Sequence, residues 1–174
     1  AEGFAEGAAL PFDAALLLQH ARAGGAADAE AQPAVLSGTQ FIAAGKRAGG
    51  EGILAGCNLD WPGDAGVPQV TTVEPETGHN FIYLGFDWEL GSLTGMNDAG
   101  LVLCLARNSN LGEAVLGGAS AALTIRHELQ FTAEYEEVIA RLRASGQLRG
   151  HQVLVIAQSK KGWCGAVLSF GKSV

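Results

Sequence analysis

Short apolar runs separated by Gly- and Asx-rich stretches fill the chain up to about residue 112, after which the spacing of apolar positions lengthens. Six runs read as strands: LSGTQFIAA (36–44), ILAGCNLDW (53–61), VPQVTTVEP (67–75), NFIYLGFDW (80–88), GSLTGM (91–96) and LVLCLARN (101–108). The separators GKRAGGEG, PGDAG, ETGH and NDAG carry the residues that supply positive φ for tight connections, so hairpin-linked antiparallel pairing is predicted. Between Ala119 and Ser145 the period becomes helical. Ser120 and Thr132 are N-cap candidates, and Val138, Ile139 and Leu142 repeat at helical spacing until Gly146. HQVLVIAQS and WCGAVLSF, split by KKG, return to strand character. Ahead of all this, PFDAALLLQHAR predicts a short amphipathic helix within Leu10–Arg22, ended by Gly24 and Gly25, with 26–33 as a connector. Strands, helices and strands again in one chain predict an α+β layered protein with antiparallel sheets.

Composition narrows the function classes. The 174 residues are 48% hydrophobic and 17% charged, enough to bury a core as one globular unit. A net charge of −7, with no basic cluster longer than a pair, argues against nucleic acid and anionic membrane surfaces. No apolar stretch approaches the roughly 20 residues of a membrane span, and the start lacks a signal-peptide pattern. Cys57, Cys104 and Cys164 are odd in number and far apart, which supports neither a disulfide framework nor a metal site; no cofactor is expected. A reducing, cytoplasmic location fits this cysteine usage. Because the chain begins without Met and stops just after a strand-like run, it reads as a fragment.

Three stretches carry candidate chemistry, each with a structural alternative. Asn58 and Asp60 lie two apart and share one face of a regular strand, or they simply end it before Trp61-Pro62. Asn97, in GMNDAG, is either a hairpin residue or an oxyanion donor at a strand end, and both roles can coexist. Gly38 is either a close-approach glycine or a bulge, with Thr39 an ordinary β-former. Cys104 reads as packed in its strand, and Cys57 is the more interesting thiol because it neighbours Asn58 and Asp60. His20, His79, His127 and His151 are read as solvated helix or loop residues.

Taken in order, AEGFAEGAALPFDAALLL, GTQFIAAG, GILAGCNLDW and SLTGMNDAGLVL resemble the acyl-CoA:6-aminopenicillanic acid acyltransferase family. That family belongs with choloylglycine hydrolases and acid-ceramidase-like amidases among the N-terminal nucleophile (Ntn) hydrolases. The resemblance implies a four-layer αββα sandwich, incomplete in this chain, and cleavage or transfer of an amide-linked acyl group of a small molecule. It also implies a pro-segment-like stretch over 1–37 and an Ntn-hydrolase-like domain over 38–174. In the family a Cys heads a motif similar to Cys-Thr-Ser-Phe and becomes a new amino terminus by self-cleavage. Its α-amine, with a reference pKa of about 7.7–8.0, serves as base for its own thiol. By the same resemblance Asp60 orients the amine, Asn97 stabilises the oxyanion, and Asn58 and Cys57 fall in the substrate-binding element. An Arg is often found at the place of Cys57.

At the nucleophile position this chain has Gly38. A residue without a side chain attacks nothing, and losing a nucleophile elsewhere has lowered rates by roughly 10⁶. Three readings follow: an Ntn-type protein without its cysteine chemistry, a Thr39 nucleophile released by Gly38–Thr39 cleavage, or a non-catalytic binding domain. A one-residue shift along a strand reverses side-chain direction, which predicts that Thr39 faces away from Asp60. An acyl amide is the expected small-molecule partner, and a homo-oligomer stays open.

Overall fold

The computed structural model describes residues 2–15, 37–50, 52–60, 66–112 and 119–171. Within them lie α1 (Glu2–Gly7), β1 (Ser37–Ala44), β2 (Ile53–Asp60), β3 (Pro68–Val73), β4 (Phe81–Phe86), β5 (Thr94–Asn97), β6 (Val102–Arg107), α2 (Ala121–Phe131), α3 (Tyr135–Ala144), β7 (His151–Ser159) and β8 (Gly162–Phe170). Every apolar run read as a strand forms one. Residues 12–15 are helical where a helix was expected, whereas the rest of that helix and the 26–33 connector lie outside the described residues.

Two antiparallel sheets result. β1 and β2 form a hairpin sheet, and β3-β4-β5-β6-β7-β8 form a six-stranded sheet in chain order. The helix pair bridges β6 and β7, so even this longer connection returns the chain to a neighbouring position. Tight connections follow their glycines: Gly100 closes the β5–β6 hairpin at φ 86°, a conformation that side chains with a Cβ resist.

Because side chains alternate across a strand, the six-stranded sheet has two faces with different partners. One face presents Phe81, Tyr83, Leu103, Leu105, Val153 and Val155 to the helices, where Ile125, Leu129, Val138 and Leu142 complete the larger core. The opposite face presents Cys104, Leu154 and Ile156 to Ile42, Ile53, Ala55 and Cys57 of the hairpin sheet. The order of layers is helices, six-stranded sheet, hairpin sheet. This is the expected α+β class, with three layers of an αββα sandwich among the described residues. The hairpin sheet covers only part of its face, since Val70, Ile82, Met96, Trp163 and Val167 remain exposed. No helix among the described residues is long and apolar enough to cross a membrane.

Local chemistry holds the helices in place. The Ser120 hydroxyl accepts from the Leu123 amide at 3.2 Å, as an N-cap does. Thr132, also expected to open a helix, instead ends α2, its hydroxyl donating to the Glu128 carbonyl at 2.6 Å. The same carbonyl also accepts the Thr132 amide at 3.0 Å, so both donors of Thr132 turn back onto α2 rather than forward to a new helix. Arg141 Nε donates to buried Glu128 at 2.6 Å and ties α3 to α2.

Truncating a side chain in the larger core should be far more damaging than truncating one on the uncovered face. Leu129→Ala is expected to lower unfolding stability by about 2–5 kcal/mol, because a fully buried leucine leaves a cavity. Ile82→Ala, at an exposed position, should change it by less than about 1 kcal/mol. Urea titrations of both variants read this difference directly.

Candidate functional site

The pairing of β1 with β2 decides which side chains meet. Ser37 lies opposite Asp60, Gly38 opposite Leu59, Thr39 opposite Asn58, and Gln40 opposite Cys57. Cross-strand partners share a face. Leu59 and Cys57 pack toward the six-stranded sheet, so Gly38 and Gln40 face it too. Thr39, Asn58 and Asp60 belong to the outer face, and all three are exposed. The structure therefore overturns the expectation that Thr39 faces away from Asp60: Thr39 shares its face, and Gly38 does not. The reason is the paired register, in which residue numbers of opposite parity become partners.

Gly38 proves to be a close-approach glycine. A Cβ built on it would overlap the Asn58 carbonyl oxygen, so β1 and β2 lie too near one another here for any side chain at 38. It is paired within a regular strand rather than forming a bulge.

Asn97 does not join this group. It lies on β5 with its side chain toward the helices, on the far side of the six-stranded sheet from Gly38. Its amide nitrogen donates to the carbonyls of Leu129 at 2.9 Å and Thr132 at 2.8 Å, and its Oδ1 accepts from the Leu101 amide at 2.9 Å. Both N–H bonds are committed, leaving none for an oxyanion. Asn97 closes a hairpin and satisfies carbonyls at the end of α2. Next to it, Asp98 accepts from the Asn80 amide at 3.2 Å and pairs with His79 at 2.8 Å.

Between the hairpin and β3–β5 lies a cavity of about 490 Å³, lined by Cys57, Asn58, Leu59, Asp60, Pro68, Leu84, Gly85, Phe86 and Leu93. Its walls are mostly apolar with a polar edge, the composition of a small-molecule pocket. Three of the expected site residues, Cys57, Asn58 and Asp60, line it; Gly38 is the strand partner of a fourth lining residue, Leu59.

Cys57 occupies the chemically richest position. Its Sγ lies 3.2 Å from Thr94 Oγ1, and Thr94 pairs with Cys104 in the register of β5 and β6. Hydrogen bonding from the Cys104 thiol lowers the Cys57 pKa to about 6, against opposing desolvation, with Thr94 assisting. Cys104, 2% exposed, is pushed in the other direction, first by its hydrogen bond to Cys57 and then by burial. Gln40 frames the pair by donating from Nε2 to the Cys104 carbonyl at 2.9 Å, while its Oε1 has no partner. Cys104 is packed, as expected, but it also adjoins the candidate thiol.

Among the buried titratable groups that the residue pattern did not reveal are His151 and Glu89. His151, read as a solvated loop or helix residue, is buried on β7 and bonds the Arg149 carbonyl at 3.1 Å; burial lowers its pKa. Glu89 is 8% exposed, its Oε2 has no partner, and burial pushes its pKa up to about 7. Neither has a sequence signature, because each is buried by loop or sheet packing across distant segments. Thr94 carried a signal: in a half-buried strand with Leu93 and Gly95 on the helix face, it had to face the other sheet.

Comparison with known proteins bears on this geometry. The family model described as acyl-coenzyme A:6-aminopenicillanic acid acyl-transferase matches residues 47–172. A crystal structure of a conjugated bile acid hydrolase variant from Clostridium perfringens is similar at 15% identity, covering 62% of this chain and 44% of that one, with a TM-score of 0.33. The chain thus spans under half the length of that hydrolase. No curated protein sequence matches it.

Two substitutions test the roles just assigned. Asn97→Ala strips partners from two carbonyls and one amide, and should lower stability by at least about 3 kcal/mol in chemical denaturation. For Glu89, the carboxyl ionises near 4.5 when unfolded and near 7 when folded, so the folded state binds the extra proton between those values. Its contribution is present below pH 4.5 and is lost as pH rises to about 7, by about 1.4 kcal/mol per pH unit. Glu89→Gln should remove that slope from the pH dependence of unfolding.

Proposed function

We propose, since the chain belongs to the acyl-coenzyme A:6-aminopenicillanic acid acyl-transferase family, that it binds the acyl part of an amide-linked small molecule in the cavity beside β2 and performs no cysteine chemistry at position 38. The cavity carries this reading. Leu59, Pro68, Leu84, Phe86 and Leu93 offer an apolar lining for an acyl group, and Asn58 and Asp60 line its edge from β2 with their side chains on the outer face of that strand. A thiol at position 38 is missing, and the nearby Asn58 carbonyl leaves no room for one without separating β1 from β2. The whole reaction of the family, hydrolysis or transfer of an acyl group at a carbon–nitrogen bond, thus lacks its usual nucleophile here. Three free cysteines, two of them in contact without a disulfide, fit a reducing cytoplasm.

A second reading has one observation in its favour. Thr39 lies directly opposite Asn58 and shares a face with Asp60, which a threonine released at Gly38–Thr39 would need beside its new amine. Its drawback is position, since that face points away from the cavity's inner wall.

Titration with an N-acyl aminocoumarin should show saturable binding in wild type and loss of it in Leu84→Trp, which fills the cavity. Intact mass should remain 17.9 kDa on prolonged incubation. Unchanged binding in Leu84→Trp would overturn the assignment of the cavity, and a break between Gly38 and Thr39 would replace it with the threonine reading.

A further inference from the structure

Beyond the C-terminal end of α3 the chain turns through residues 145–150 into β7, and this turn, with the end of β8, borders a second cavity of about 690 Å³. It shares no lining residue with the cavity beside β2. Arg143, Ser145, Arg149, Ser169 and Phe170 line it, and no carboxylate among the described residues does. We infer that this cavity binds a phosphorylated small molecule, with Arg143 and Arg149 holding the phosphate and Phe170 packing against the body that carries it. The inference stands apart from the acyl reading of the first cavity.

Charge is the first support. In a chain of net charge −7, a concave surface with two guanidinium groups and no carboxylate reverses the sign of the whole molecule locally. Arg141 is held by Glu128 and Glu137, whereas no ion pair among the described residues engages Arg143 or Arg149. The Arg141 and Leu142 carbonyls at the end of α3 are taken by the Ser145 amide, at 3.1 and 3.2 Å. A third guanidinium, Arg107, lies in the strand row that runs through His151 to Phe170, at the same end of the sheet.

Hydroxyl polarity points the same way. Ser145 Oγ accepts from the Gln147 amide at 3.4 Å, and Ser169 Oγ accepts from Gln152 Nε2 at 3.0 Å. Each hydroxyl therefore has a lone pair occupied by the protein and its hydrogen left to donate. Two guanidinium forks and two O–H groups make a wall of donors, which complements an oxyanion, and arginine forks match the paired oxygens of a phosphate.

Size separates a phosphorylated molecule from bare phosphate. The volume lies within the roughly 300–1,000 Å³ of small-molecule sites and exceeds what one phosphate fills. Half-buried Phe170 supplies a planar, apolar surface beside the arginines. A nucleotide has both parts, phosphate oxygens for the arginines and a flat base for the ring. A nucleic-acid strand, which must run on past the cavity, would meet the net negative charge of the rest of the chain.

The test titrates the full chain with ADP by isothermal calorimetry, with pyrophosphate, inorganic phosphate and adenosine as separate arms. ADP should bind saturably, pyrophosphate and phosphate more weakly, and adenosine not at all. Arg143→Ala and Arg149→Ala, both at exposed positions, should each raise the ADP Kd about tenfold or more, and Arg149→Lys, which keeps the charge but not the fork, should fall between. Phe170→Leu should weaken ADP and leave pyrophosphate unchanged. Lys160→Glu, at the other end of the β7–β8 hairpin, changes the net charge more than either alanine does and should shift the Kd by less than about twofold. Saturable binding by none of the phosphates overturns the site, and so does an equal loss in Lys160→Glu and Arg149→Ala, which marks general charge attraction. ADP binding no tighter than inorganic phosphate overturns the phosphorylated molecule in favour of the free anion, and adenosine binding as well as ADP overturns the role of the arginines.

Discussion

The seating of β2 against the six-stranded sheet is the constraint on which the chemistry of this molecule depends. Alternation along the strand sends Ile53, Ala55, Cys57 and Leu59 inward and Leu54, Asn58 and Asp60 outward. Inward residues pack on the six-stranded sheet, Cys57 and Leu59 lining the cavity as well; outward residues are exposed, Asn58 and Asp60 at the cavity's edge. A single register shift would exchange the two sets and put an asparagine and an aspartate into an apolar interface, each lacking a partner, so the apolar pattern of β2 pins the register strongly. The thiol is at the inner wall because Ile53 and Ala55 are, not because anything local selects a cysteine.

Much of this arrangement was legible in the residue pattern. The strand runs, their hairpin connections, the helix pair and the α+β class follow from periodicity and from glycine placement, which are local properties. Ser120 was legible as a cap because capping involves only four consecutive residues. Thr132 was not, because the same residue type suits a helix end whose carbonyls need a donor. His151 and Glu89 were illegible for a related reason: their burial is made by segments distant in sequence, and nothing in their neighbours announces it.

Asn97 shows how one residue type in one motif can serve two ends that geometry then separates. Its motif marks both a hairpin and, by resemblance, an oxyanion site. In the folded chain the amide makes three buried hydrogen bonds that knit β5, the start of β6 and the end of α2. An amide so engaged could serve an oxyanion only by giving up a buried carbonyl, exchanging one satisfied group for an unsatisfied one. Resemblance to a catalytic motif thus identified a real structural junction.

Position 38 is where backbone spacing and chemistry meet. A strand pair that must hold a side chain between its backbones needs room for at least one carbon, and here the Asn58 carbonyl occupies that room. The glycine therefore lets β1 settle onto β2 more closely than any residue with a Cβ would permit. Two residues along the same strand, Gln40 lies opposite Cys57 and its Nε2 donates to the Cys104 carbonyl. Any side chain placed at 38 would accordingly have to part β1 from β2, the same pairing that sets Gln40 opposite Cys57.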